Sequence, residues 1–245
     1  MKKMRSYPFL LVLISCIIFS PSAGGQDTTE IKQITTSSYS AKSNVTYLLN
    51  PSFEGKPQRG MIQSDKSSEF LEHWIDCEGA ENGHTPPDVH SAETNNWAVT
   101  HMPSDKKTYI SMVYREDGTY EVISQKLQQA LTPESCYTFS IDLAQSPEMK
   151  SPTKSSRGSA VAFIEPIKLQ IYGSDELCGR SYLLYESPFI DHEEWKTYSH
   201  TFLAEAEFHS ILLKTYYKGN ILESANGNLL LDNMKDFVLS DCEAK

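Results

Sequence analysis

The stretch Gly227-Asn228-Leu229-Leu230-Leu231-Asp232-Asn233-Met234 decides how the chain is read. Three leucines run without a polar interruption into an acidic turn. A strand with one wet face alternates apolar and polar side chains; a short unbroken apolar run fits a strand covered on both faces. A second stretch, Leu48-Leu49-Asn50-Pro51-Ser52-Phe53-Glu54, answers it near the other end, with apolar residues entering a polar turn that closes on an acid.

Between the two, the pattern has period two. Tyr137, Phe139, Ile141 and Leu143 alternate with Thr138, Ser140 and Asp142. Ile167, Leu169 and Ile171 alternate with Lys168, Gln170 and Tyr172. Ile211, Leu213 and Tyr217 fall on one face, with Lys214 and Tyr216 opposite. Shorter candidate strands cover residues 96–101, 109–114, 120–127, 181–186 and 195–202. Residues 205–213 come nearest to a helical period, but their β-rich end argues against a helix. Asp117-Gly118 marks a hairpin turn. Roughly ten short strands between Gly, Pro, Asn and Asp turns predict an all-β, two-sheet antiparallel β-sandwich over residues 45–242. Residues 146–159, rich in Ser, Pro and Lys, form a long connection between two strands; such connections are functional or disordered.

The N-terminus reads as an export signal. Lys2, Lys3 and Arg5 precede an apolar run from Phe9 to Phe19, and small residues follow up to Gly25, where cleavage is expected. A rival reading takes Leu13-Ile14-Ser15-Cys16 as a lipobox that places a lipid on Cys16. Residues 26–44 are polar and read as a tether. The net charge is −10, and −13 over residues 26–245, so a phosphate backbone is repelled and nucleic acid is not an expected partner. No later segment is apolar and long enough to span a bilayer. Cys77, Cys136, Cys178 and Cys242 remain after cleavage. An even number in an exported chain predicts up to two disulfides, with three connectivities open. No cysteine or histidine spacing matches structural zinc.

The two end stretches resemble the first and last strands of the galactose-binding-like jelly roll, the sandwich of many carbohydrate-binding modules. His73-Trp74-Ile75-Asp76-Cys77, Pro86-Pro87-Asp88-Val89-His90, Ser124-Gln125-Lys126-Leu127, the run from Cys136 to Ala144, Glu186-Ser187-Pro188 and Glu194-Trp195-Lys196-Thr197-Tyr198 are similar to exported Bacteroidetes-type proteins over about residues 47–240. The resemblance implies adjacent chain ends and a binding domain of the cell envelope that stands alone or beside outer-membrane, peptidoglycan-binding domains. It also implies a structural Ca²⁺ between the end strands, held by Glu54 after the turn and Asp232 of the late strand, with backbone carbonyls. Hard oxygen donors suit Ca²⁺. The plainer alternative makes the two carboxylates turn caps.

Candidate ligand contacts are Trp97, Trp74, His90 and Arg115. An exposed indole stacks against the C–H face of a pyranose. Trp97, after Asn95-Asn96, is the expected exposed one; Trp195 reads as structural. Arg115 offers a planar fork to a carboxylate or hydroxyl. Asp88, His90 and His101, with His73 and His84, offer a weaker metal or proton-transfer constellation. Nucleophile elbows, His-Glu-x-x-His and phosphate loops are missing. The expected function is a non-catalytic exported module for a glycan or cell-envelope polymer. The rival expectation is a domain that docks envelope proteins, and a hydrolase ranks third.

Overall fold

The computed structural model describes residues 44–59, 71–78, 85–218 and 225–242. The export signal, nearly all of the tether, Cys16 and His84 lie outside them. The strands in chain order are β1 (Val45–Thr46), β2 (Ile75–Asp76), β3 (Asp88–Ser91), β4 (Thr108–Tyr114), β5 (Val122–Leu131), β6 (Cys136–Ala144), β7 (Lys150–Pro152), β8 (Ala160–Ala162), β9 (Lys168–Ser174), β10 (Tyr182–Glu186), β11 (Lys196–Leu203), β12 (Phe208–Tyr216), β13 (Gly227–Asp232) and β14 (Phe237–Ser240). Every pairing is antiparallel.

One sheet runs β3-β4-β13-β6-β11, with β14 and β1 continuing beside the other half of β6. The second runs β10-β9-β12-β5-β2. The two face each other across an apolar core, as expected for a jelly-roll sandwich. Phe139, Ile141 and Leu143 of the first sheet and Ile171, Ile211 and Leu213 of the second meet there. Alternation explains this split: Lys214 and Tyr216 point away while Ile211 and Leu213 point in.

β13 is the exception to alternation, and it is buried along its whole length. Leu229 and Leu231 enter the main core. Leu230 points to the outer face and joins a second cluster with Val99, Tyr109, Val113, Ala144, Met149 and Phe163. A layer of chain from 145 to 165 covers that face. The 146–159 connection is therefore structured: it carries β7, with β8 completing a small hairpin just after it.

Gly227 and Asn228 hold this layer. A Cβ at Gly227 would lie 2.3 Å from the Glu165 carbonyl oxygen, so only glycine permits the approach. Asn228 Nδ2 donates to the carbonyls of Ser146 (2.7 Å) and Phe163 (2.6 Å), and its Oδ1 accepts from Ser146 N at 2.8 Å.

The first and last strands of the described residues meet. β1 pairs with β14 through Val45↔Val238 and Thr46↔Phe237. The strand assignments of the two opening stretches need correction. Residues 48–54 form a turn, closed by Asn50, whose Nδ2 donates to Glu54 O (2.8 Å) and whose Oδ1 accepts from Glu54 N (2.9 Å). The side-chain amide replaces the ladder that a strand would have used. β13 is the penultimate strand, and β14 follows it. The stretches still touch: Met234 N donates to Pro51 O at 2.9 Å. Residues 96–101 are also not a strand; residues 96–98 form a 3₁₀ turn with Trp97 at φ +56° and Ala98 at φ +65°. The disulfides are Cys77–Cys178 and Cys136–Cys242.

Candidate functional site

The outer layer forms one wall of a cleft of about 330 Å³. Ser151 and Pro152 of β7 stand on that wall, and Trp97 and Arg59 are among the other lining residues. Thr85, Asp88, Arg115 and Glu121 also line it, from β3, the residues just before it and the β4–β5 hairpin. The hairpin turns at Gly118 (φ +81°), with Gly118 N donating to Arg115 O at 2.9 Å. Glu116 fastens the hairpin to the outer layer. It accepts from Thr153 Oγ1 (2.8 Å), Asn226 Nδ2 (2.7 Å) and Ser155, and these hydrogen bonds lower its pKa.

Trp97 is half-buried, packed on the second cluster from below. The Arg59 guanidinium lies 4.4 Å from its ring centroid, and Arg59 Nε donates to Asn96 Oδ1 at 3.3 Å. Two successive non-glycine residues in the left-handed region cost roughly 1–3 kcal/mol each, a strain that collects at functional sites.

Arg115 and Glu121 form a buried ion pair at 2.8 Å. Glu121 Oε2 accepts from Val113 N (3.0 Å), and Thr85 Oγ1 donates to Oε1 (2.6 Å). Burial pushes the Glu121 carboxyl upward and the Asp88 charge reinforces the shift, while the Arg115 guanidinium and the hydrogen bonds from Thr85 and Arg115 oppose it. Arg115 Nη2 serves Glu121 and Thr85, whereas its Nη1 is buried with no hydrogen-bond partner.

Trp97 and Arg115 therefore share one cleft with the 146–159 connection, which adjacency in sequence does not reveal. Two of the expected ligand contacts are corrected. Trp74 is 0% exposed, stacked on Phe53 at 5.2 Å with its Nε1 donating to Asn50 O (2.9 Å); no ring face reaches a ligand. His90 is also 0% exposed. Its Nε2 meets Ser111 Oγ at 2.9 Å and its ring stacks on Tyr109. Alternation misled here, because the second cluster buries the face of β3 that would otherwise be wet. His101 faces Glu193 O instead, and His73 is exposed elsewhere. Among the described residues no three His, Cys, Asp or Glu side chains gather to hold a metal. Arg59 and Thr85 carried no sequence signal, since both act only through neighbours distant in sequence.

Burial, helped by His101, lowers the His90 pKa to about 4. The folded state then binds fewer protons than the unfolded state between that value and about 6.5. His90 therefore costs stability progressively as pH falls through this window. We expect the stability of the native protein, measured by urea unfolding relative to His90→Gln, to decline from pH 6.5 to pH 4. A constant difference would show that His90 takes up its proton over the same pH range in both states.

Glu54 and Asp232 both close on the loop Ser104–Thr108. Glu54 Oε1 accepts from Lys107 N (3.0 Å) and Thr108 N (3.1 Å). Asp232 Oδ2 accepts from Asp105 N (2.8 Å), and Oδ1 accepts from Asn233 N (2.7 Å). Asp232 is 0% exposed, and burial pushes its carboxyl up to about 7, with the Asp105 charge adding to the shift. The donors are all hard oxygens, and a buried carboxylate beside a second acid fits a hard cation in kind. Each also serves as the turn cap that the simpler reading requires.

No protein-family model matches the chain, and no curated protein matches it. Solved structures do resemble it. Two are cleaved adhesin domains of Lys-gingipain. One has 10% identity and a TM-score of 0.43, over 78% of this chain and 97% of that one. The other, from Porphyromonas gingivalis, has 10% identity and a TM-score of 0.40, over 69% and 92%. The xylan-binding CBM22-2 domain from Paenibacillus barcinonensis has 11% identity and a TM-score of 0.40, over 69% and 92%.

Proposed function

We propose that the protein is an exported, non-catalytic module that binds a glycan or cell-envelope polymer in the cleft between Trp97 and β7. The observation that carries the reading is the convergence, in one concave site, of a half-buried indole, two guanidiniums and a structured wall. A pyranose presents C–H groups to apolar surface and hydroxyls to polar groups, and the cleft offers both, with Trp97, Val113, Met149 and Pro152 beside Arg59, Thr85 and Arg115. Glu121 has both oxygens engaged as acceptors, which supports a scaffold role over acid–base catalysis. The two disulfides support an oxidising compartment. No helix among the described residues is long and apolar enough to cross a membrane. We also propose a structural Ca²⁺ at Glu54 and Asp232, with a role in stability and none in the cleft.

A glycan array followed by calorimetry on the best hit tests the reading. Trp97→Ala should weaken binding about tenfold or more, because it removes apolar lining of the cleft and the ring against which Arg59 is held. Phe189→Ala, a change at an exposed ring away from the cleft, should leave affinity unchanged. Binding that survives Trp97→Ala would place the site elsewhere, and an array with no hits would remove the reading.

A further inference from the structure

We infer that the cleft selects a sugar residue carrying an anionic substituent, a carboxylate or a sulfate, over its neutral counterpart. The inference rests on the glycan reading of the same cleft.

Two guanidiniums line a space of about 330 Å³ in a protein whose net charge is −10. They are held before any ligand arrives. Arg115 is fixed through Nη2 by Glu121 and Thr85, and Arg59 through Nε by Asn96 and through its plane by Trp97. Fixing them in advance spares the ligand the cost of ordering two long side chains.

Arg115 Nη1 carries the argument furthest. A guanidinium donor buried without an acceptor costs more than an ordinary lost hydrogen bond, and native proteins rarely leave one. Its neighbours are already spent: Glu121 accepts from Thr85, Val113 and Arg115 Nη2. Arg115 lines the cleft, so an acceptor bound there that displaced the cover over Nη1 would complete the set. A sugar hydroxyl would satisfy one donor, whereas an anionic oxygen forms the stronger, charge-assisted bond.

The charges facing the cleft are Arg59, Arg115, Glu121 and Asp88. Glu121 is matched by Arg115 at 2.8 Å, and among the described residues no carboxylate forms an ion pair with Arg59. Arg59 is exposed, so it can meet an anion at the cleft mouth while Arg115 waits below. The volume lies near the lower end of ligand pockets, roughly 300–1,000 Å³, which suits a chain end or a short segment over a long polymer run.

The test uses the full mature protein and three versions of one oligosaccharide backbone: neutral, uronate-terminated and sulfate-bearing. Calorimetry should give at least tenfold tighter binding for one anionic version than for the neutral one, and that version identifies the substituent. Arg59→Gln, an exposed change with little bearing on folding, should cut the preference for the anionic version over the neutral one at least threefold, both affinities being measured on the variant itself. Arg115→Gln disturbs a buried pair, so its fold is checked by circular dichroism first; folded, it should reduce the preference further. Raising salt should weaken the anionic version only. Equal affinity for all three versions, or a preference that survives Arg59→Gln in a folded Arg115→Gln background, overturns the inference and leaves glycan binding standing. Absence of binding to all three, together with an array without hits, overturns the glycan reading and the inference with it.

Discussion

Removal of the disulfides should lower the melting temperature more than any other single change to this protein. Cys77–Cys178 and Cys136–Cys242 close loops of 101 and 106 residues. Cross-links of that span restrict the unfolded chain by up to about 4–5 kcal/mol each, and typical measured values are about 2–4 kcal/mol. At about 2–4 °C per kcal/mol for a domain of this size, each Cys→Ser pair should lower melting by roughly 5–15 °C. The two losses should differ in character. Around Cys77–Cys178 other contacts remain: Arg180 pairs with Glu78, its Nη1 donates to Tyr120 OH at 3.0 Å, and Cys178 N donates to Ser124 Oγ at 3.1 Å. Cys242 follows β14 with no comparable side-chain contacts among the described residues, so its loss should free that end to local opening as well. Scanning calorimetry with and without reductant measures the first effect, and hydrogen exchange at β14 the second. Thiol titration of the unfolded, unreduced protein should find no free thiol among the four cysteines; four free thiols would refute the bonds outright.

Calcium should raise the melting temperature by about 5–10 °C when it is in about hundredfold excess over its dissociation constant. Binding to the native state alone adds RT ln(1 + [Ca²⁺]/Kd), about 2.7 kcal/mol at that excess. The buried Asp232 carboxyl, pushed up to about 7, gives the effect a pH signature. Without metal, the folded state holds this proton over a window where the unfolded chain has released it. Metal-free stability should therefore fall as pH rises from about 4 to 7. Calcium needs the ionised carboxylate, so its stabilisation should grow over the same window. Asp232→Asn should abolish both trends and leave glycan affinity intact. Mg²⁺ should substitute poorly, because it demands tighter octahedral geometry. Identical melting in millimolar Ca²⁺ and in chelator would reduce Glu54 and Asp232 to caps of the Ser104–Thr108 loop.

Strand periods were legible because each depends on a few neighbours: β6, β9 and β12 sort their side chains by a rule two residues long. The unbroken leucines of β13 likewise announced a strand covered on both sides, and Leu230 against Met149 and Phe163 supplies the cover. Side-chain substitutes for the ladder were not legible. Asn50 turns an apolar stretch into a closed turn, and nothing local says that its amide will outcompete strand pairing. The cleft was half legible. Trp97 and Arg115 have the right chemistry, but their meeting depends on Gly227 and Asn228, which dock a layer from eighty residues earlier in the chain. His90 failed for the same reason: its burial is set by a cluster built from five separate segments.

The position of β13 also constrains the order in which the molecule can assemble. This strand lies between β4 and β6, so the first sheet has a gap at its centre until residues 227–232 exist. Leu48 N awaits the carboxylate of Asp236, 188 residues away. Contacts so distant make the entropy of loop closure fall due before most of the core can form, which places the fold among slow folders, in the millisecond-to-second range. A nascent chain leaving the ribosome would remain open through nearly all of its synthesis. Late closure of this kind is compatible with the export proposed above, because the sandwich has to wait for β14 and Cys242.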